Sequence, residues 1–142
     1  MTTIHATAIA IGRSGVLLTG PSGSGKSDLA LRLIDGEARL IADDQTVLSV
    51  KAGRLMASAP ATLLGKIEMR GMGIVKLSGL QMTQQAPIVL LVELVAPDQI
   101  ERMPEPERRE LLGISLPVLR LAPFEASAPA KLRLALASLA AG

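Results

Sequence analysis

The sequence predicts an α/β domain with a mixed sheet built around a P-loop, on three observations. A short apolar strand, residues 16–19, runs straight into Gly20-Pro21-Ser22-Gly23-Ser24-Gly25-Lys26-Ser27, and that loop opens an amphipathic segment. Strand-like stretches recur in pairs joined by tight turns, which argues against a purely parallel, doubly wound sheet. Helical spacing of apolar residues is confined to a few segments between them.

In order along the chain, residues 2–11 read as a strand, closed by the turn Gly12-Arg13-Ser14-Gly15. Residues 27–35 place Leu29/Leu33 and Ala30/Ile34 one helical turn apart, and Gly36 supplies the stop. Leu40-Ile41-Ala42 is a short buried strand ending on Asp43-Asp44. Residues 46–50 continue as strand, and Lys51-Ala52-Gly53-Arg54 turns the chain into a partner at 55–58. Residues 67–70 and 73–77 are strand pieces around Gly71. Residues 88–95 are apolar enough for a strand buried on both faces. Residues 104–112 read as a charged helix with Pro104 at its start. A last strand is expected at 116–121, and an Ala/Leu-rich helix at 127–139 with Ser127 as its N-cap.

A chain of 142 residues fits one domain, here 1–142, that buries roughly two thirds of its unfolded surface. Hydrophobic residues at 49% and charged residues at 20% exclude a disordered tail. With one Phe and no Trp or Tyr the chain lacks stacking platforms for single-stranded nucleic acid. A net charge of +2 is too small for a phosphate-backbone binder, so no nucleic-acid partner is expected. There is no cysteine, which removes disulfides, thiolate metal sites and cysteine nucleophiles. The amino terminus lacks the pattern of a signal peptide. The longest apolar run, 87–97, contains Glu93 and is too short to span a bilayer. A cytoplasmic protein without a membrane partner is the expectation.

The loop Gly20 to Ser27 matches G-x4-G-K-[ST] at every fixed position. Its glycines let backbone N–H groups converge on phosphate oxygens, and the helix beginning near Gly25 aims its dipole at them. Lys26 reaches the β/γ-phosphates, and the Ser27 hydroxyl is placed to ligate Mg²⁺, so ATP and Mg²⁺ are the expected cofactors. Residue frequencies would produce such a match by chance in a chain this long about once in a hundred times or less.

Mg²⁺ and an acceptor hydroxyl both call for carboxylates. Asp43 and Asp44 close a short strand, where neighbours point to opposite faces unless a turn re-aims one. Glu68, in Ile67-Glu68-Met69-Arg70-Gly71-Met72-Gly73, is either a site carboxylate or half of a surface Glu–Arg pair. Glu93 ends Ile88-Val89-Leu90-Leu91-Val92 and competes as a Walker B-like acid, in which case the protein is a small-molecule kinase or NTPase. His5 shares the polar face of its strand with Thr3 and Thr7.

Taken together, the His5 strand, the P-loop, Arg39-Leu40-Ile41-Ala42-Asp43-Asp44 and Ile67-Glu68-Met69-Arg70-Gly71-Met72-Gly73-Ile74 resemble the catalytic domain of the HPr kinase/phosphorylase family. The resemblance runs from His5 to about Val95 and implies a short form of that family, holding the C-terminal catalytic domain only. It implies a fold similar to the nucleotide domain of phosphoenolpyruvate carboxykinase, and a serine kinase acting on the phosphocarrier protein HPr in phosphotransferase signalling. By the same resemblance Asp43 is the proton-transferring carboxylate, with Lys26 and His5 as catalytic partners. Asp44 and Glu68 join Ser27 at the metal, and Arg70 and Gly71 belong to the second signature. Longer members form hexamers, so a homo-oligomer is a further implication. Where they carry an arginine-containing loop, this chain reads Leu121-Ala122-Pro123-Phe124-Glu125, so the reverse, phosphate-dependent reaction is expected to be weak or absent. A nucleotide-binding regulatory module without catalysis is the remaining alternative.

Overall fold

The computed structural model describes residues 1–141. Two α-helices, α1 (Lys26–Asp35) and α2 (Ala128–Ala141), accompany eleven strands among these residues. The strands are β1 (Thr2–His5), β2 (Thr7–Ile11), β3 (Ser14–Thr19), β4 (Arg39–Ala42), β5 (Gln45–Lys51), β6 (Arg54–Ser58), β7 (Lys66–Met69), β8 (Gly73–Lys76), β9 (Gln85–Leu94), β10 (Arg108–Leu111) and β11 (Ile114–Leu121).

Nine strands form one curled mixed sheet in the order β1-β5-β6-β9-β3-β2-β4, with β11 also on β9 and β10 beyond it. β9 is the hub because its ten residues serve three partners. Its first residues pair antiparallel with β6, while the rest run parallel to β3 on one side and β11 on the other. Its burial on both faces follows from that position, as the unbroken apolar run predicts. Leu90, Val92 and Leu94 join Val16, Leu18, Leu29, Leu33, Ile67 and Leu132 in a core under the two helices. Leu91 and Ile88 face the other way, into a core with Leu17, Ile41, Leu48 and Leu55 that the curl of the sheet closes on itself. The β7–β8 hairpin forms a separate two-stranded sheet that plugs Ile67 into the helical core.

The structure departs from the sequence reading at two places. Residues 2–11 are two strands, not one, broken at Ala6, with β1 paired to β5 and β2 to β3 and β4. Residues 104–112 are not a helix. Pro104 and Pro106 interrupt any helical ladder, and Arg108 to Leu111 pair with β11 across a two-residue turn at Leu112-Gly113. Both turn residues have positive φ, 50° and 82°, the geometry of a type I′ hairpin. The same turn at Ala52-Gly53 joins β5 to β6, as read from the sequence. α2 begins one residue after Ser127, whose carbonyl accepts the Lys131 N–H at 2.8 Å. No helix among the described residues is long and apolar enough to cross a membrane.

Candidate functional site

Two chain corners meet at the head of the sheet and build the site. At Ala6 the first strand crosses from β5 to β4, and opposite it Asp43-Asp44 make the turn between those same two strands. The corners are stitched together: the Ala6 N–H donates to the Asp44 carbonyl (3.0 Å), and the Thr46 hydroxyl donates to the Ala6 carbonyl (2.9 Å). The Thr7 hydroxyl donates to Asp43 Oδ1 (3.1 Å) and accepts from the Asp44 N–H (3.2 Å). Asp44 lies in the left-handed region at φ 68°, which Asp tolerates better than most residues. That turn re-aims it, so both carboxylates line one cleft despite their adjacency.

Asp43 is almost fully buried, and its carboxylate accepts three hydrogen bonds. The Ser27 hydroxyl reaches its Oδ1 at 2.7 Å, and the Glu68 N–H reaches its Oδ2 at 3.1 Å. It therefore ties the glycine loop, the first strand and the β7–β8 hairpin to one carboxylate. Asp44 is exposed, and His5 Nε2 stands 2.8 Å from its Oδ1. The Glu68 side chain, Arg70 and Gly71 line the same cleft from the hairpin, alongside Lys66. The open volume is about 1110 Å³.

The glycine loop leads from β3 into α1, whose first residue is Lys26. The Lys26 ammonium donates to the carbonyls of Gly20 (2.7 Å) and Pro21 (3.0 Å), closing the loop on itself. Burial holds its pKa below the usual 10.5, while the negative charges of Asp44 and Asp43 work against that shift. Gly25, at φ 99°, has room for no side chain: a Cβ there would stand 2.8 Å from the Phe124 ring. Arg32 of α1 donates to the Pro123 and Glu125 carbonyls and holds the Phe124 segment in place.

Glu93 is not part of this cleft. It pairs in register with Thr19 at the end of β3, but its carboxylate binds Arg109 (2.8 Å) and Arg120 (3.3 Å). Arg120 also binds Glu107 at 2.6 Å and holds that carboxyl below the usual carboxylate range. The partners of Glu93 are therefore arginines, while the Ser27 hydroxyl is held by Asp43. Glu93→Gln should lower stability by about 1 kcal/mol, the scale of a partly exposed ion pair. A thermal melt of the variant against the parent checks this.

Sequence reasoning missed Thr7 and Phe124. Thr7 carried only a weak signal, its place two residues after His5 on the same polar strand face. Phe124 carried a stronger one as the chain's only aromatic, but nothing in one dimension brings it to Gly25.

The site can cradle an anionic ligand on a helix N-terminus beside a lysine, with one sheltered and one accessible carboxylate next to it. A sequence model described as "HPr Serine kinase C-terminal domain" matches residues 1–132, well beyond the stretch to Val95 that the motifs alone connect. The chain is 35% identical over 124 residues to the HPr kinase/phosphorylase of Bordetella pertussis, covering 81% of this chain and 40% of that protein. It is 33% identical over 123 residues to that of Malacoplasma penetrans, covering 80% and 41%. It thus spans well under half the length of the curated relatives it matches, 26% of that from Clostridium botulinum. Among solved structures, the Hpr(Ser) kinase/phosphatase from Coxiella burnetii superposes with a TM-score of 0.86 at 28% identity, over 97% of this chain and 95% of that one.

Proposed function

Because the chain belongs to the HPr serine kinase C-terminal domain family, we propose that it transfers the terminal phosphate of Mg-ATP to a serine of the phosphocarrier protein HPr. The observation that carries this reading is the 2.7 Å contact between Ser27 and Asp43, which joins the glycine loop to the paired aspartates in one open cleft. On this reading Gly20, Pro21, Ser22, Gly23, Ser24, Gly25, Lys26 and Ser27 are a phosphate loop on a P-loop core like that of phosphoenolpyruvate carboxykinase. The Lys26 ammonium exchanges its two loop carbonyls for phosphate oxygens. Backbone N–H groups at the start of α1 hold the same oxygens.

The Ser27 hydroxyl and Asp43 offer hard oxygen donors, with Asp44 and Glu68 on the same cleft. That set suits Mg²⁺, which takes one or two carboxylates plus phosphate and water in place of an all-protein cage. When bound, the ion would offset charge on the phosphates. Asp43 is too enclosed by Ser27, Thr7 and the Glu68 N–H to meet an acceptor. We therefore assign Asp43 to the metal side and Asp44 to the acceptor. This exchanges the roles that the family resemblance implies. Asp44 is accessible, and His5 Nε2 stands beside one of its oxygens, leaving the other to take the serine proton.

A protein acceptor is favoured over a small molecule by the hairpin beside the cleft, where Met72 and Ile74 are each 70% exposed. Exposed apolar side chains at the rim of a polar site fit a partner surface. Labelled ATP, incubated with and without purified HPr, tests the whole reading. Label on HPr supports it. Turnover without HPr would favour an NTPase, and binding without turnover a regulatory module.

The reverse reaction, phosphate attack on phosphoserine, needs cationic donors near the departing group. Arg120 is committed to Glu107 and Glu93, and Lys131 to Glu125 at 3.2 Å, which leaves Arg70 and Lys66 on the cleft. Because the chain reads Leu121-Ala122-Pro123-Phe124-Glu125 where longer members carry an arginine-containing loop, pyrophosphate release from phosphoserine-HPr in millimolar phosphate is expected to be weak or absent. Release at a rate comparable to forward transfer would assign that job to Arg70 or Lys66.

A further inference from the structure

Two threonines beside the aspartate turn, Thr7 and Thr46, are fully buried. Thr46 gives its proton to a backbone carbonyl, that of Ala6. Thr7 is the only residue among those described whose side chain is hydrogen-bonded to both aspartates. A hydroxyl has one proton and two lone pairs. The Asp44 N–H can only donate and an ionised Asp43 can only accept, so the Thr7 proton has one direction open to it. Branching at Cβ stiffens the side chain further. The backbone beneath it is equally fixed. Thr7 pairs with Leu18 of β3, the strand that leads into the glycine loop, and β2 also carries β4, the strand that ends beside Asp43.

We propose that Thr7 is a positioning residue that sets the offset between the two carboxylates. Its proton orients Asp43 for the metal side, and its oxygen holds the Asp44 turn toward the acceptor. The inference rests on the kinase reading above. Asp43 Oδ1 is shared by the Ser27 and Thr7 hydroxyls, and Oδ2 takes the Glu68 N–H. On that reading Ser27 turns to the metal, which leaves Thr7 as the one anchor of Asp43 that belongs to the sheet. The left-handed backbone of Asp44 is held by two bonds, its N–H to Thr7 and its carbonyl from the Ala6 N–H. Without the Thr7 hydroxyl the Asp44 N–H loses its acceptor, and a turn that costs conformational energy loses half its support. The metal side and the acceptor side of the cleft are therefore set by one side chain, and a defect there reaches both.

Steady-state transfer to HPr would be compared for the parent, Thr7→Val, which keeps the shape and loses the hydroxyl, and Thr7→Ser, which keeps the hydroxyl and loses a methyl. Thr7→Val should lower kcat at saturating Mg-ATP by about 10–100-fold, and raise the free Mg²⁺ giving half the maximal rate by about tenfold, the usual cost of losing a partner behind a ligand. The KM for HPr should stay within about threefold, because the hairpin rim is a separate site. Thr7→Ser should stay within about threefold of the parent in kcat and Mg²⁺ requirement, since serine carries the same donor and acceptors. A packing role predicts the reverse order, with valine nearer the parent than serine, and that order would overturn the proposal. So would a change in only one of the two readouts, because the role is shared. Should the valine variant not fold, Thr7→Ala takes its place with the same losses expected. Hydrogen exchange of the Asp44 amide, read by NMR on the ligand-free chain, judges the tie without reference to HPr. Its protection should fall by about five- to tenfold in Thr7→Val, the worth of one hydrogen bond, and unchanged protection overturns the proposal. A parent that puts no label on HPr defeats the kinase reading instead, and the amide alone then decides whether Thr7 holds the turn.

Discussion

Replacing Lys26 with alanine is expected to abolish transfer to HPr and to weaken Mg-ATP binding beyond calorimetric detection, without loss of the fold. Lys26 is the only cation in the loop, and its ammonium is held by two loop carbonyls that a phosphate would displace. Burial places its folded pKa below 10.5, so between that lowered value and 10.5 the unfolded chain binds more protons than the folded one. Stability therefore rises with pH across that window, and at neutral pH the charged ammonium is a burden on the empty protein. Removing it should leave the melting temperature of the ligand-free chain unchanged or slightly higher. Mg-ATP at a hundredfold its Kd should stabilise the parent by about 2.7 kcal/mol and the variant not at all. A Lys26→Ala protein that binds Mg-ATP as tightly as the parent would show that the loop is not a phosphate site.

Asp44→Asn should cut transfer by about 10²–10⁴, the worth of a general base, and leave Mg-ATP affinity within a few-fold. Asparagine is the proper probe because it accepts the left-handed backbone at this position, where alanine would add strain to lost chemistry. Asp43→Asn should behave differently. An amide cannot accept from both the Ser27 hydroxyl and the Glu68 N–H, because one of its ends is a donor. Loss of transfer should then come with weaker Mg-ATP binding and a lower melting temperature. If instead Asp44→Asn stays active and Asp43→Asn loses rate alone, the allocation implied by the resemblance stands and the one proposed here falls.

The glycine loop, its flanking strand and helix, and the doubly buried β9 were all legible in one dimension. Each is written in local spacing: fixed glycines, a 3.6-residue period, an unbroken apolar run. What spacing could not reveal was set by pairing between distant segments. Arg108-Arg109-Glu110-Leu111 has the composition of a helix turn, yet β11 claims it as an edge strand. Residues 2–11 look continuous, yet β4 and β5 pull the two halves apart. Asp43 and Asp44 were flagged as a pair, but their sharing of one cleft depends on Thr7 and a positive φ. Glu93 looked like Asp43 at the level of strand and terminal acid, and only its arginine partners tell the two apart.

The parallel register of Thr19 against Glu93 bears on how the protein comes to exist at all. The hairpins β2–β3, β5–β6 and β10–β11 each close over a few residues and can form early, on the microsecond scale of such events. β3 can meet β9 only after everything between them has been looped out, and such long-range pairings are slow to form. The glycine loop hangs from the end of β3, and Phe124, which caps it, follows β11 on the far side of β9. A chain still emerging from the ribosome would hold its hairpins but no finished cleft. Activity should therefore appear in refolding experiments later than the recovery of β structure seen by far-ultraviolet circular dichroism.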